Sequence, residues 1–206
     1  MIDLYTWHTP NGRKVSIMLE EIGMDYKVFP INIAKDEQFQ PHFLKISPNN
    51  RIPAIIDKDN NNYSLFESGA ILMYLAEKSG KLINKSNSDE YFRTMEWLMW
   101  QMGGVGPMFG QVHHFVKYNK GKSAYAEERY SKEARRLYGV MDKRLSVNPY
   151  IAGKEYSIAD ISIWPWTARF DWQEIDLNEF PNVARWYKEM IDLSLIHISE
   201  PTRRKR

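Results

Sequence analysis

The chain of 206 residues contains no cysteine. That absence excludes disulfide staples, cysteine metal sites and any nucleophilic thiol supplied by the protein itself. It also fits a reducing compartment. No apolar run approaches the ~20 residues that cross a bilayer. The opening Met1-Ile2-Asp3-Leu4-Tyr5 lacks the basic-then-apolar layout of a secretory leader. The expectation is a cytoplasmic chain with no membrane partner. Charge of one sign is scarce as well: 28 Lys and Arg against 26 Asp and Glu give +2. Four of those cations, Arg203, Arg204, Lys205 and Arg206, crowd the last fourteen residues against a single acid, Glu200, so the preceding residues carry a net −1. Such a balance makes no case for nucleic acid or for an anionic surface.

What is present is core-forming material: 43% of the residues are hydrophobic and 14% aromatic, enough for a sizeable interior. The first eighty residues alternate strand and helix patterns. Strands are expected at Ile2–Trp7, Tyr26–Ile31, Ile52–Asp57 and Tyr63–Phe66. Lys14–Ile22 reads as an amphipathic helix, with Val15, Met18, Leu19 and Ile22 on one face and Gly23 as its stop. A short helix falls near Pro41–Lys45, and another opens at Glu67-Ser68-Gly69-Ala70 and runs to Lys78. Asp59-Asn60-Asn61-Asn62 is a hairpin turn. The order βαβ, α, ββα is that of a thioredoxin-like sheet. Beyond it the pattern is helical throughout, at Tyr91–Met102, Ala124–Arg144 and Asp160–Phe170, and Ser157 with Asp160 forms a capping box. Six of the seven tryptophans lie after residue 90 and suit a helical core. The expected architecture is an α/β thioredoxin-like domain at 1–82, a linker at 83–90 and an all-α domain at 91–192.

The helical period breaks after Ile191. The stretch Leu193-Ser194-Leu195-Ile196-His197-Ile198-Ser199-Glu200-Pro201-Thr202-Arg203 resembles the translation of a transposon-end sequencing adapter, and residues 193–206 are read as a non-native tail, with an ordinary basic tail as the plainer alternative.

Three short stretches of the first domain carry chemistry if the strand order holds. Thr9-Pro10-Asn11-Gly12 lies at the turn from strand to helix, where free backbone N–H groups and partial positive charge favour an anion such as a thiolate. The same residues also read as an ordinary N-cap with proline at the first helical position. Ile52-Pro53 is expected to have a cis peptide, which would turn the Ile52 backbone toward an extended peptide; a proline opening a strand is the plainer account. Glu67-Ser68 offers a carboxylate and a hydroxyl at a helix start, suited to an ammonium and a carboxylate held together, or simply to capping. A thiolate seat, a backbone-pairing edge and an amino-acid clamp together describe a peptide with an α-amino acid head and a mid-chain cysteine, and glutathione has that form. Tyr5 lies within the first strand and reads as structural. Adjacent helical residues His113 and His114 point about 100° apart and lack a metal-ligand pattern around them, so no metal is expected. Gly103–Pro107 lacks the Lys-Ser/Thr of a phosphate loop; a kink or a close helix contact accounts for it better.

Thr9-Pro10-Asn11-Gly12, Gln38-Phe39, Ile46–Asn50, Ile52–Ile55 and Ser64–Leu72 resemble bacterial glutathione transferases of the nu class, a class known for disulfide-bond reductase activity. Trp100-Gln101, Gly103-Gly104, Gly106-Pro107-Met108, Gly110-Gln111, His113-His114-Phe115 and Glu128-Arg129-Tyr130 are similar to the same class, so the resemblance runs from Met1 to about Ile191. It implies that Thr9 and Asn11 lie nearest the glutathione sulfur as catalytic residues, and that Gln38 and the Ile52 backbone hold the tripeptide's middle and end. It further implies that Glu67 and Ser68 bind its γ-glutamyl head and that Arg129 reaches the site from the helical domain. Arg51 stands where the family usually has lysine and supplies a cation either way. The implied protein is a homodimer using glutathione as co-substrate on a small disulfide, with peroxides or electrophiles as alternative substrates. A non-catalytic transferase-like interaction module is the remaining alternative.

Overall fold

The computed structural model describes residues 1–193, so the expected tail at 193–206 lies outside the described residues except for Leu193, which is the last residue of a helix. These residues divide into two compact units, Met1–Lys81 and Leu82–Leu193.

The first unit is built on four strands, β1 (Ile2–Thr6), β2 (Tyr26–Pro30), β3 (Ala54–Asp57) and β4 (Tyr63–Phe66), in the order β2-β1-β3-β4. β1 pairs parallel with β2 and antiparallel with β3, which pairs antiparallel with β4. The parallel pair needs a crossover helix, and α1 (Pro10–Ile22) provides it. Strand alternation sends Leu4 of β1 and Ile55 of β3, which are in register, into the core. Helix α1 packs against α3 (Ser68–Ser79), and its Val15, Met18 and Leu19 are buried. Tyr5 packs instead with Phe43 of the short helix α2 (Pro41–Leu44), in a cluster with Ile31 and Ala54. Its ring stacks on Phe29 at 4.9 Å.

Several boundaries in the first unit differ from the sequence expectation. Helix α1 begins at Pro10, not Lys14, because Thr9 adopts extended backbone and caps it while proline fits the first helical position. Strand β3 starts at Ala54, two residues later than expected, after a cis Ile52–Pro53 peptide. The strands β1 and β2 each end one residue early, at Thr6 and Pro30.

The second unit contains α4 (Ser88–Trp100), α5 (Gly106–Val112), α6 (Ala124–Leu145), α7 (Ile158–Thr167) and α8 (Pro181–Leu193). Its first helix starts inside the stretch expected to be linker, because the Asn87 side chain accepts from the Asp89 and Glu90 amides and so caps it. Two π-helical turns, Gln101–Val105 and His113–Tyr118, flank α5. Within the glycine-rich run close approach accounts for Gly106, where a Cβ would lie 2.7 Å from Gln101 Nε2 and 3.6 Å from Trp166 Nε1, but not for Gly103, which has nothing within 4 Å. The capping box at the start of α7 is formed as expected. Its Asp160 is fully buried and accepts from the Ile151 amide at 2.9 Å, the Ser157 amide at 3.1 Å and Trp186 Nε1 at 3.0 Å.

Candidate functional site

In the first unit the site grows out of the two helix starts that border the sheet. At α1, Thr9 Oγ1 accepts from the Gly12 amide at 3.1 Å. Glycine is required at position 12, since a Cβ there would collide with the Trp7 carbonyl oxygen and Thr6 Oγ1. The absence of that side chain lets the first turn of α1 sit against the end of β1. Thr9 and Asn11 are both half-buried on that turn. The capping reading of Thr9 is therefore correct, and the cap uses the side-chain oxygen as an acceptor.

At α3, Glu67 occupies the residue before the helix with φ +71° and ψ 113°, and its side chain makes no capping bond to the helix. Positive φ in a non-glycine residue is costly and clusters at ligand sites. Asn49 Nδ2 donates to Glu67 Oε1 at 3.4 Å. Ser68, the first helical residue, is buried, and Lys14 Nζ donates to its Oγ at 3.3 Å. Lys14 is 1% exposed, and burial outweighs the nearby Glu67 carboxylate in lowering its ammonium to about 7. This lysine ties the α1 start to the α3 start. Sequence reasoning left it out, although the signal was there: Lys14 lies four and eight residues before Met18 and Ile22, on the buried stripe of its helix.

Gln38 is 8% exposed, on a 3₁₀ turn. Its Nε2 donates to Asp36 Oδ1 at 3.4 Å, while its buried Oε1 accepts no hydrogen bond from the described residues. A buried acceptor of this kind is costly unless a donor arrives, and a peptide N–H would supply one. Arg51 is exposed, with Nη1 donating to Asn50 Oδ1 at 3.0 Å. Tyr5 has its phenol pushed up by burial and then by Asp3, the reverse of what an activating hydroxyl requires.

Arg129 belongs to the second unit. There it lines a cavity of about 600 Å³ with Met108, Tyr125, Tyr130, Glu133 and Arg136 among others. His113 is packed between Trp166 and Trp172 and faces Gln173 Nε2 at 3.2 Å; burial first, then Arg169, lowers it to about 4. It is a neutral core acceptor. His114 is exposed, and no group of three or more His, Asp or Glu among the described residues could hold a metal.

Residues 1–77 match the glutathione S-transferase N-terminal domain, and residues 104–193 match the glutathione S-transferase C-terminal domain. The chain belongs to the glutathione S-transferase family. This transferase is 48% identical over 194 residues to the disulfide-bond oxidoreductase YfcG of Escherichia coli, covering 92% of this chain and 90% of that protein. A glutathione transferase family member from Pseudomonas fluorescens, solved with two glutathione bound, superposes with a TM-score of 0.91 at 43% identity, over 96% of this chain and 91% of that one. A Pseudomonas putida glutathione transferase, solved with one glutathione disulfide per subunit, gives a TM-score of 0.91 at 40% identity, over 98% and 92% of the two chains. The transferase fold thus accounts for both units, with the sheet domain first and the helices after it.

Proposed function

We propose that this transferase is a glutathione-dependent disulfide-bond oxidoreductase in which the reacting sulfur is brought in by the tripeptide. The observation that carries this reading is the pairing of a chain without cysteine with two helix starts joined through Lys14 and Ser68. The similarity to YfcG supports the reaction class, and the glutathione and glutathione disulfide in the Pseudomonas relatives support the ligand. Bound glutathione supplies a thiolate that attacks one sulfur of a small disulfide, and a second glutathione completes its reduction to two thiols with release of glutathione disulfide.

The chain's own residues orient and stabilise. Thr9 and Asn11, on the first turn of α1, donate toward the sulfur and favour its anion. The Gln38 side-chain oxygen and the Ile52 backbone receive the peptide portion, with Arg51 available to its terminal carboxylate. Glu67 takes the ammonium of the γ-glutamyl head, and Ser68 with the amides of α3 takes its carboxylate. We further place the protein in the cytoplasm, where glutathione is kept reduced; no helix among the described residues is long and apolar enough to cross a membrane. A homodimer is consistent with the exposed Phe92 and Met99, seven residues apart on one side of α4.

The decisive experiment compares turnover of a small symmetric disulfide with conjugation of a chlorinated aromatic, each with glutathione. Disulfide reduction should dominate. Efficient conjugation without disulfide reduction would overturn the reading, and failure to be retained on immobilised glutathione would leave a non-catalytic module. Light scattering of the eluted protein checks the dimer.

A further inference from the structure

We infer that Lys14 is a proton-taking anchor for the ligand's amino-acid head: the buried amine beside Ser68 gains a proton when an α-carboxylate is seated at the start of α3, so that binding and protonation are one event. The inference rests on the glutathione reading and assigns a positioning residue within it.

The geometry leads to this. Lys14 is 1% exposed, and its Nζ donates to Ser68 Oγ at 3.3 Å. A ligand oxygen hydrogen-bonded to that hydroxyl, or to the amides of the same helical turn, lies within about 6 Å of the amine. Unliganded, the amine is poorly solvated. Burial holds it near 7, with Glu67 acting in the opposite direction, so around neutral pH it is divided between the charged and neutral forms.

Several charges on the elements packed around it have partners of their own. On α3, which packs against α1, Lys78 pairs with Asp57 of β3, and Glu77 lies beside it near the far end of the helix. On β1, Asp3 faces Lys58 at 4.0 Å. On α1 itself Glu20 accepts from the Tyr26 hydroxyl at 2.8 Å. Glu67 reaches the amine and acts to raise it, and it is the residue expected to receive the ligand's ammonium. Once Glu67 is neutralised in that way, the ligand's carboxylate replaces it as the counter-charge to Lys14.

An anion introduced at that distance in a buried site raises a lysine's pKa by about one to three. Binding then draws about 0.4 to 0.9 proton from solvent near pH 8. The sign follows from the protonated form being the binding form. Affinity falls with rising pH above the free value of about 7, approaching tenfold per pH unit until the bound value is reached.

The test is calorimetric titration of the full chain with S-methylglutathione, which lacks a titratable thiol, in phosphate and in Tris between pH 6.5 and 9. The difference in apparent heat between buffers of unlike ionisation enthalpy counts the protons exchanged. Wild type should take up protons with a maximum near pH 8, and its affinity should fall above pH 7. In Lys14→Met, any uptake by the ligand's own ammonium persists, so the difference between the two chains is the share of Lys14. Wild-type binding with no proton uptake across this range would overturn the inference while leaving the glutathione reading intact, and this result does not depend on the variant folding. Absence of any binding heat in folded wild type would overturn both.

Discussion

Replacing Asp160 with alanine probes how the helical unit is held together, and its cost follows from the donors left behind. Four hydrogen bonds converge on the carboxylate, from the Ile151 and Ser157 amides, the Ser157 hydroxyl and Trp186 Nε1. The hydroxyl can rotate to another acceptor, but the other three donors are fixed, and both Asp160 and Trp186 are fully buried. An unsatisfied buried donor costs about 1–3 kcal/mol. Three of them, partly relieved by water entry, give an expected loss of about 3–5 kcal/mol at pH 7.5. Ser157→Ala removes the cap and one of the four bonds to Asp160 but strands no fixed donor on the carboxylate, and should cost about 1 kcal/mol. The two variants are also separated by pH. Burial lifts Asp160 to about 6 despite its donors, above its ordinary 3.8. The folded chain therefore binds more protons than the unfolded chain between those values, and the group's contribution to stability grows as pH falls through 6. The gap between wild type and Asp160→Ala should widen by about 1.4 kcal/mol on going from pH 7.5 to 5. Urea unfolding followed by tryptophan fluorescence reads this unit selectively, since it holds every tryptophan except Trp7. Equal losses of about 1 kcal/mol for the two variants, with no widening at pH 5, would refute the account and reduce Asp160 to an ordinary cap.

Asn11→Ala should lower disulfide turnover by about 10²-fold, the scale of losing one donor to a developing charge, with a much smaller change in glutathione affinity; equal changes in kcat and calorimetric Kd would mean that it only positions the ligand. Ser68→Ala should weaken glutathione binding by about tenfold, the value of one hydrogen bond to a charged group, as measured by calorimetry at pH 7. Gly12→Ala drives a methyl group into the Trp7 carbonyl and Thr6, so it should cost about 1–3 kcal/mol of stability and lower retention on immobilised glutathione. Lys14 sits near 7 when folded and at 10.5 when unfolded, so the unfolded chain binds the extra proton between those values and stability should rise with pH across that window. Lys14→Met should flatten that rise in thermal melts taken from pH 7 to 10.

What could be read from the sequence was whatever is local. Thr9, Pro10 and Gly12 announce a helix start within four residues, and Ser157 with Asp160 announces another, because capping chemistry is satisfied by neighbours in the chain. The beginning of α1 was misplaced for the same reason seen from the other side. Apolar periodicity becomes visible only once the helix reaches the core at Lys14, a turn after the backbone has become helical at Pro10. The π-helical turns at Gln101 and His113 gave no periodic signal, since each depends on packing against other helices. The positive φ of Glu67 is likewise set by how β4 hands over to α3, and glutamate carries no propensity that would mark it. Lys14 was overlooked as a site residue because its partner, Ser68, lies 54 residues away.

On the proposed reading, the Glu67 backbone and the Lys14–Ser68 contact turn an ordinary thioredoxin-like sheet into a place for an amino-acid head. A serine at the start of a helix and a lysine on an amphipathic helix are each unremarkable. Their meeting at 3.3 Å, in a position almost closed to solvent, is not. A lysine loses several kcal/mol of hydration on such burial, and α1 would hold a methionine at that position at lower cost. The protein carries no thiol of its own, so its contribution to sulfur chemistry has to be electrostatic: the free amides and partial charge of two helix starts, and one amine that becomes fully charged only when a carboxylate arrives. An amine that stayed charged in the empty site would attract any small anion. One that waits near neutrality ties its charge to the ligand that brings the counter-charge, and so favours a zwitterionic head over inorganic phosphate or chloride.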